Sequence, residues 1–171
     1  MNNRNKKNNN SYWIVGKHAV ESALKNSKRM KYHLCITKEN FASVELKNLE
    51  LKTDIMSRSE ISAITDNPNT HQGIALLVKP LETNNLNNYL ESNKENKKTF
   101  IILDQITDAQ NIGAIIRSAS AFSVSGIITL DKNFPNENST MAKAAVGTLE
   151  FMPVFKVTNL VQTLNKLKKY N

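Results

Sequence analysis

The chain has 171 residues, of which 40% are hydrophobic and 22% are charged, and it carries a net charge of +8. This composition supports a packed core and excludes a disordered polymer, and no apolar run approaches the ~20 residues that cross a bilayer. The N-terminus lacks the apolar stretch of a secretory signal, and a single cysteine, Cys35, excludes an intrachain disulfide and a cysteine-based zinc site. We therefore expect a cytoplasmic protein of one ordinary domain or two small ones, with no metal.

The positive charge is concentrated near the N-terminus. Residues 1–33 hold eight Lys or Arg side chains against one acid, Glu21, and so carry +7 of the +8. A basic end on a nearly neutral body is typical of contact with a polyanion, because neutralised phosphates release counterions. The alternative is a tail that only improves solubility. Residues 1–10 are polar and rich in asparagine, and we expect this basic tail to be disordered.

Residues 11–80 are predicted to form a small α/β domain, because runs with strand alternation take turns with segments of helical periodicity. The segment WIVGKHAVESALKN predicts a short strand and then a helix with Val20, Ala23 and Leu24 on one face. Turn residues dominate 67–73, and Pro80 closes the strand that follows them. The other predicted strands are 32–37, 53–57 and 74–80, and the predicted helices are 41–51 and 58–65.

Residues 81–98 indicate a polar linker with a short helix at 86–92. Beyond it, over 99–171, strands alternate with helices, which predicts right-handed parallel crossovers and a Rossmann-like half sheet. The first two strands are continuous apolar runs, typical of strands buried on both faces. The last helix is amphipathic, with Leu160, Val161, Leu164 and Leu167 on one side. The predicted strands are 100–104, 126–130 and 152–157, and the predicted helices are 109–122, 141–150 and 159–170.

A single cation stands in the otherwise small and apolar helix 109–122. Its apolar stripe leaves Arg117 more than about 90° from the centre, so Arg117 projects from the side of the helix, next to small residues. Either Arg117 is an ordinary solvated arginine, or it faces something that approaches the helix. Gly113, which costs the helix about 1 kcal/mol relative to alanine, indicates close approach by another backbone or a ligand. Thr107 or Asp108 is placed to cap the N-terminus of this helix.

Three parts of the sequence resemble one protein family. LDQITDAQNIGAIIRSASAF resembles the first motif of the SpoU/TrmH family of RNA ribose 2′-O-methyltransferases, with Ala109 and Ser123 in place of a usual proline and glycine. KAAVGTLEFMPVFKVTNL is similar to the family's later Lys-x-x-x-Gly-x-Leu-Glu stretch. IVGKHAVESAL and HQGIALLV resemble the landmarks of the substrate-binding domain in the branch that is similar to rRNA guanosine methyltransferases. The resemblance covers residues 12–170.

The resemblance implies methyl transfer from S-adenosylmethionine to a ribose 2′-hydroxyl of rRNA or tRNA. It also implies that Arg117 is catalytic and that Asn111 orients it. A guanidinium is a poor base at neutral pH, but it binds a phosphate through two hydrogen bonds. The residues expected to contact the substrate are Lys28, Arg29, Lys31, Ser118 and Glu150. Glu150 is a weaker candidate than the others, and we expect it to be structural or a contact at the rim of the site.

The implied fold is a small α/β substrate-binding domain followed by an incomplete Rossmann-like domain of the SPOUT, or trefoil-knot, class. The family's second and third motifs, which form the knot, the cofactor pocket and the homodimer surface, are not among these 171 residues. We therefore expect a domain without the knot and without cofactor-binding residues. Two interpretations remain open: a truncated or split methyltransferase, or a non-catalytic remnant that binds RNA.

The histidines and aromatic residues near the N-terminus have competing interpretations. His18 and His71 are expected to make local hydrogen bonds or packing contacts, with RNA contact as the alternative, and His33 is expected to be structural. Tyr12 and Trp13 either stack on bases or pack in the core.

The basic tail leads to a testable prediction. Deletion of residues 1–10 removes the charges of Arg4, Lys6 and Lys7, so RNA binding is expected to weaken and its salt dependence to flatten. The measurement is RNA affinity at several salt concentrations. An unchanged salt slope would show that the tail does not contact phosphates.

Overall fold

A computed structural model of the chain describes residues 10–44, 51–65, 70–93 and 97–170. The predicted tail, apart from Asn10, lies outside the described residues, as do most of the predicted helix 41–51, part of the loop 67–73 and part of the linker. No helix in the described ranges is long and apolar enough to cross a membrane.

The first half of the chain forms a four-stranded mixed sheet with the strand order β1-β4-β2-β3. Strand β4 is antiparallel to both β1 and β2, whereas β2 and β3 are parallel. Helix α1 buries Val20, Ala23 and Leu24, as the periodicity predicts, together with Ala19. The elements are β1 (Tyr12–Val15), α1 (Lys17–Lys25), β2 (Lys31–Ile36), α2 (Lys38–Phe41), β3 (Lys52–Ile55), α3 (Arg58–Ile64) and β4 (Ile74–Val78).

The predicted helix 41–51 is wrong in its described part. Helix α2 begins after Thr37 and ends at Phe41, and residues 42–44 form turns. There the Ser43 hydroxyl donates to the backbone carbonyl of Asn40, a local bond that competes with continued helix.

The second half forms a sheet of three parallel strands in the order β5-β6-β7, which confirms the predicted alternation. Only the central strand, β6, is buried along most of its length, whereas β5 is an edge strand whose first three residues are half-buried. The prediction that both strands are buried on both faces is therefore wrong for β5. The elements are α4 (Leu86–Ser92), β5 (Phe100–Leu103), α5 (Ala109–Ala121), β6 (Gly126–Leu130), α6 (Ser139–Ala145), a 3₁₀ turn (Thr148–Glu150), β7 (Val154–Val157) and α7 (Leu160–Leu167).

Two helices depart from their predicted form. The helix predicted over 141–150 is interrupted, because Val146 and Gly147 adopt left-handed conformations with φ of 51° and 87°. A side chain at Gly147 would collide with Ser22 of α1, so the turn lies directly on the first half. The predicted apolar side of α7 is only partly covered, since Val161 is 67% exposed.

The short helix predicted within 81–98 is present as α4, and it packs on the second sheet. Leu86 and Leu90 are buried against Ile128 and Phe155. Residues 86–92 are therefore packed on the second sheet.

One hydrophobic core runs through both halves. The same buried cluster contains Ile14 and Leu76 of the first sheet together with Ile112, Ile127 and Met141 of the second half. Helix α6 of the second half packs on β1 of the first sheet, so the two halves share one continuous core.

Helix α5 begins at a capping residue. The carboxylate of Asp108 accepts the backbone N–H of Asn111 at 2.7 Å.

Helices α5 and α6 pack at very short range. A Cβ atom at Gly113 would collide with the backbone carbonyl of Met141 and would lie 2.7 Å from the Ala144 Cβ. Gly113 therefore allows the approach of another backbone, which is one of the two alternatives left by the sequence.

This contact predicts the effect of a small substitution. Gly113→Ala would favour an isolated helix by about 1 kcal/mol, but here it overpacks the α5–α6 contact, so we expect the free energy of unfolding to fall by about 1–3 kcal/mol. The measurement is denaturant unfolding, with Ser118→Ala on the exposed side of α5 as the control, expected within about 0.5 kcal/mol of wild type. A stabilised Gly113→Ala variant would contradict the close packing.

Candidate functional site

Arg117 is exposed on α5, on the side away from the buried residues Ile112, Ile116 and Ala119. Among the residues that the structure describes, none forms an ion pair or hydrogen bond with its guanidinium. The predicted orientation of Arg117, projecting from the helix side, is therefore confirmed. A guanidinium stays protonated in proteins, so α5 presents a permanent cation to solvent.

Asn111 and Ser118 lie on another part of α5. Both line an open hollow beside the edge strand β5, whose other lining residues include Ile101, Ile106 and Ile115. Asn111 and Arg117 are six residues apart, which places them about 120° apart around the helix. Within the described ranges no hydrogen bond joins their side chains. The orienting role of Asn111 therefore stays a prediction.

Arg29 and Glu150, both predicted to contact the substrate, instead bind each other in the interior. The Arg29 side chain is 0% exposed, and that of Glu150 is 2% exposed. The Arg29 Nε donates to Glu150 Oε2 at 3.0 Å and its Nη2 donates to Glu150 Oε1 at 2.6 Å, which is a bidentate pair. The structure corrects the prediction that these two side chains contact RNA, because neither is accessible, and Glu150 has the structural role that was its alternative.

Arg29 also binds a second carboxylate and a backbone carbonyl. Its Nη1 donates to Glu137 and, at 2.9 Å, to the carbonyl of Lys79. Glu137 accepts further bonds from the hydroxyl of Tyr12 and from the backbone N–H of Leu81, the latter at 3.1 Å. We call Tyr12, Asn26, Arg29, Glu137 and Glu150 the buried ion cluster.

The buried ion cluster contains two carboxylates and one guanidinium, which are joined by hydrogen bonds. Burial opposes the charge of Arg29, but the bond to Glu150 and the nearby carboxylates outweigh this and raise the arginine pKa. Burial, and then the charge of Glu137, raise the pKa of Tyr12 well above its usual value, so its phenol stays neutral and donates. Asn26 completes the cluster by donating to Glu150 Oε2 at 2.8 Å.

The sequence did not identify Glu137 as a member of any site. It lies in a polar loop of ordinary turn composition, and its partner Arg29 is 108 residues away in the chain. No local pattern marks such a pair.

The two lysines near Arg29 differ in how accessible their ammonium groups are to a phosphate. Lys28 is exposed. The Lys31 ammonium donates to the carbonyl of Asn26 at 2.7 Å, and burial lowers its pKa, opposed by the charge of Glu150. Of the three basic residues predicted to contact phosphates, Lys28 is therefore the most accessible.

The remaining candidates have structural surroundings. His71 is buried, and its Nδ1 accepts the backbone N–H of Gly73 while its Nε2 contacts the Ser62 hydroxyl, both at 3.0 Å. His33 Nε2 lies 2.7 Å from Asp54 across two strands, whereas His18 is exposed. Burial raises the pKa of the Cys35 thiol to about 11, which keeps it protonated and unreactive at neutral pH.

Trp13 packs near the His33 ring, with the ring centroids 5.9 Å apart. Tyr12 belongs to the buried ion cluster, so for Tyr12 the packing alternative is the one observed. In the ranges that the structure covers, no group of three or more His, Cys, Asp or Glu side chains is arranged to hold a metal ion.

Both halves of the chain match known protein families. Residues 98–171 match the SpoU rRNA Methylase family, and residues 13–84 match the family described as RNA 2′-O ribose methyltransferase substrate binding. A TrmH family tRNA/rRNA methyltransferase of Staphylococcus haemolyticus is 31% identical over 164 residues, which cover 92% of this chain and 65% of that protein. A relative of the same description from Staphylococcus aureus is 32% identical over 162 residues, 91% of this chain and 64% of that protein. The chain thus spans 64–65% of the length of these relatives.

Solved structures share the fold at low sequence identity. The SpoU methyltransferase AviRb from Streptomyces viridochromogenes, in complex with the cofactor AdoMet, has a TM-score of 0.69 and 15% identity, covering 93% of this chain and 60% of that one. An AdoMet-bound rRNA methyltransferase from Sinorhizobium meliloti has a TM-score of 0.62 and 20% identity, covering 94% and 59%. The likeness confirms the predicted α/β fold of the SPOUT class.

The buried ion cluster leads to a stability prediction. Arg29→Met leaves the buried carboxylate of Glu150 and the partly buried one of Glu137 without their cation, so we expect the free energy of unfolding to fall by about 3–5 kcal/mol. The matched control is Lys28→Met, one residue away and exposed, expected within about 0.5 kcal/mol of wild type. Denaturant unfolding at neutral pH checks both variants. An Arg29→Met loss no larger than that of the control would show that the cluster does not join the two halves.

Proposed function

Because the chain belongs to the SpoU/TrmH methylase family, we propose that it acts in the transfer of a methyl group from S-adenosylmethionine to a ribose 2′-hydroxyl of rRNA or tRNA. The matches of both halves support this assignment, since one family is described as an rRNA methylase and the other as binding the substrate of a 2′-O ribose methyltransferase. The observation that carries it is Arg117, a permanent cation exposed on α5 in the methylase half.

Arg117 is assigned to the RNA side of the reaction. A ribose 2′-hydroxyl is a weak nucleophile at neutral pH, and the reaction requires its oxygen to be aligned with the methyl group. A guanidinium is too weak a base to accept the hydroxyl proton, which leaves to solvent. It binds the adjacent phosphate through two parallel hydrogen bonds and stabilises the negative charge that develops nearby. Arg117 thus positions the sugar and lowers the barrier electrostatically.

The described residues do not by themselves fit the methyl donor. The hollow next to α5 is lined mainly by apolar side chains, with Asn111 and Ser118 as its polar members and no charged group for the amino acid end of S-adenosylmethionine. We therefore assign Asn111, Ser118 and Arg117 to RNA recognition and not to binding of the methyl donor. Ser118, one residue after Arg117 and also exposed, is a further candidate for contact with the RNA.

A second candidate function is RNA binding without catalysis, because the exposed cations Lys28 and Arg117 suit a polyanion whether or not a methyl group is transferred. In that case the chain binds RNA through the same basic residues and no methyl transfer follows. The two functions differ in one measurable property, the appearance of methyl groups on ribose.

Substitution of Arg117 tests the proposal. The chain is incubated with RNA and labelled S-adenosylmethionine, alone and with the C-terminal third of its Staphylococcus aureus relative supplied as a fusion. We expect Arg117→Ala to lower the methylation rate about 100- to 1,000-fold, as for loss of one transition-state donor, and Arg117→Lys to recover only part of it. Ribose methylation is recognised by the resistance of the neighbouring phosphodiester to alkaline cleavage.

The control is Arg58→Ala, which removes the charge of another exposed helical arginine, in the first half of the chain. Its methylation rate is expected to equal that of the wild type. Full-rate methylation by Arg117→Ala would contradict the catalytic role. RNA binding with no methylation in either format would favour the second candidate function.

A further inference from the structure

An open groove of about 670 Å³ runs between the two halves of the chain. Its walls come from the loop after α1, the segment that joins the sheets, helix α4 and the turn that precedes β7. None of the residues assigned above to catalysis lines it. Representative lining residues are Lys28, Met30, Asn84, Asn88 and Phe151.

The groove exposes a large aromatic side chain on a fixed turn. Phe151 is 66% exposed, and Met30, which also lines the groove, is 54% exposed. The Phe151 backbone N–H donates to the carbonyl of Thr148 at 3.1 Å, and the adjacent Glu150 is held by Arg29. The backbone N–H of the next residue, Met152, also donates to the carbonyl of Thr148, at 3.0 Å. Because its backbone is thus held on both sides, Phe151 presents its ring at little cost in conformational entropy.

Amide side chains stand along the α4 wall. Asn85 caps the helix and Asn93 bonds to the Tyr89 carbonyl, whereas Asn84 and Asn88 are exposed and line the groove. Each amide offers both a donor and an acceptor, which matches the edges of unpaired bases. An exposed aromatic ring beside such amides is the combination that proteins use for splayed bases in single-stranded RNA.

The charge of the groove suits a polyanion. Lys28 and Lys79 line it, against the exposed carboxylate of Glu82. The carboxylate of Glu150, in the same wall, is already neutralised by its pairing with Arg29. The remaining balance is positive, as is that of the whole chain at +8.

We propose that this groove binds an unpaired stretch of RNA, with one base stacked on Phe151 and neighbouring base edges contacted by Asn84 and Asn88. The inference rests on the proposed function, because it specifies which part of the RNA substrate binds between the two halves. Duplex RNA is recognised by shape over about 16 base pairs, whereas this groove offers an exposed aromatic ring and amides, which suit unpaired bases.

The test measures binding by fluorescence anisotropy of a labelled, unstructured twelve-nucleotide RNA and of a labelled RNA hairpin without unpaired flanks. We expect Phe151→Ala to weaken binding of the unpaired RNA about 5- to 100-fold, the range for loss of one stacked base, while Phe151→Trp retains affinity. Lys28→Ala is expected to lower the salt slope by about one. The hairpin is expected to bind more weakly and to be insensitive to Phe151→Ala.

The matched control is Phe41→Ala, which removes a phenylalanine that is 42% exposed at the end of α2, outside the groove. Unchanged affinity of Phe151→Ala, or an equal loss in Phe41→Ala, would overturn the proposal. Failure of the wild-type chain to bind either RNA would instead contradict the proposed RNA function itself. RNA binding that does not depend on Phe151 would rule out the groove as the binding site. It would not affect the proposed role of Arg117, because methylation is measured separately.

Discussion

The arrangement of the molecule depends on one buried guanidinium. Arg29 follows α1 in the first half, and its two carboxylate partners flank α6 in the second, Glu137 before the helix and Glu150 after it. Desolvation makes a buried charge unfavourable unless its partners satisfy it. Here they do, because Tyr12, Asn26 and the backbone around Lys79 supply the remaining hydrogen bonds. A rotation of one half against the other would break several of these bonds together, so the relative position of the two sheets is strongly determined.

That constraint reaches the proposed catalytic residue through packing. Helix α6 lies against α5 at Gly113, where the contact leaves no room for a side chain, and Arg117 is one turn further along α5. The path from Arg29 to Arg117 thus consists of a charged contact and a close helix contact. Both resist small displacements, because interiors are packed at crystal-like density.

Most of the fold could be predicted from the sequence because its signals are local. Alternation predicts β2, and an apolar run closed by Pro80 predicts β4. The carboxylate of Asp108 indicates the start of α5, and Gly113 indicates its close contact with α6. The failures have non-local causes. Arg29 and Lys28 look equivalent in a basic loop, and only the fold, which brings Glu150 from 121 residues away, makes one of them structural. The same limit applies to α7, whose apolar stripe is correct as a pattern but is covered only where Leu160 and Leu167 meet the second sheet.

The two arginines use the same chemistry in opposite surroundings. A guanidinium fork matches a carboxylate and a phosphate equally well, so the residue type alone does not distinguish a structural role from a functional one. Burial and hydrogen-bond partners distinguish the two roles. The guanidinium of Arg29 is buried and paired with Glu150, whereas Arg117 is exposed without a partner in the described ranges. The segment from Glu137 to Phe151 connects these surroundings, since it contains both partners of Arg29, the helix that supports α5 and the exposed ring of the groove. In the proposed reaction, RNA bound against Phe151 would rest on the same rigid segment that supports α5 and Arg117, so the protein would fix the distance between the stacked base and the ribose that is proposed to react.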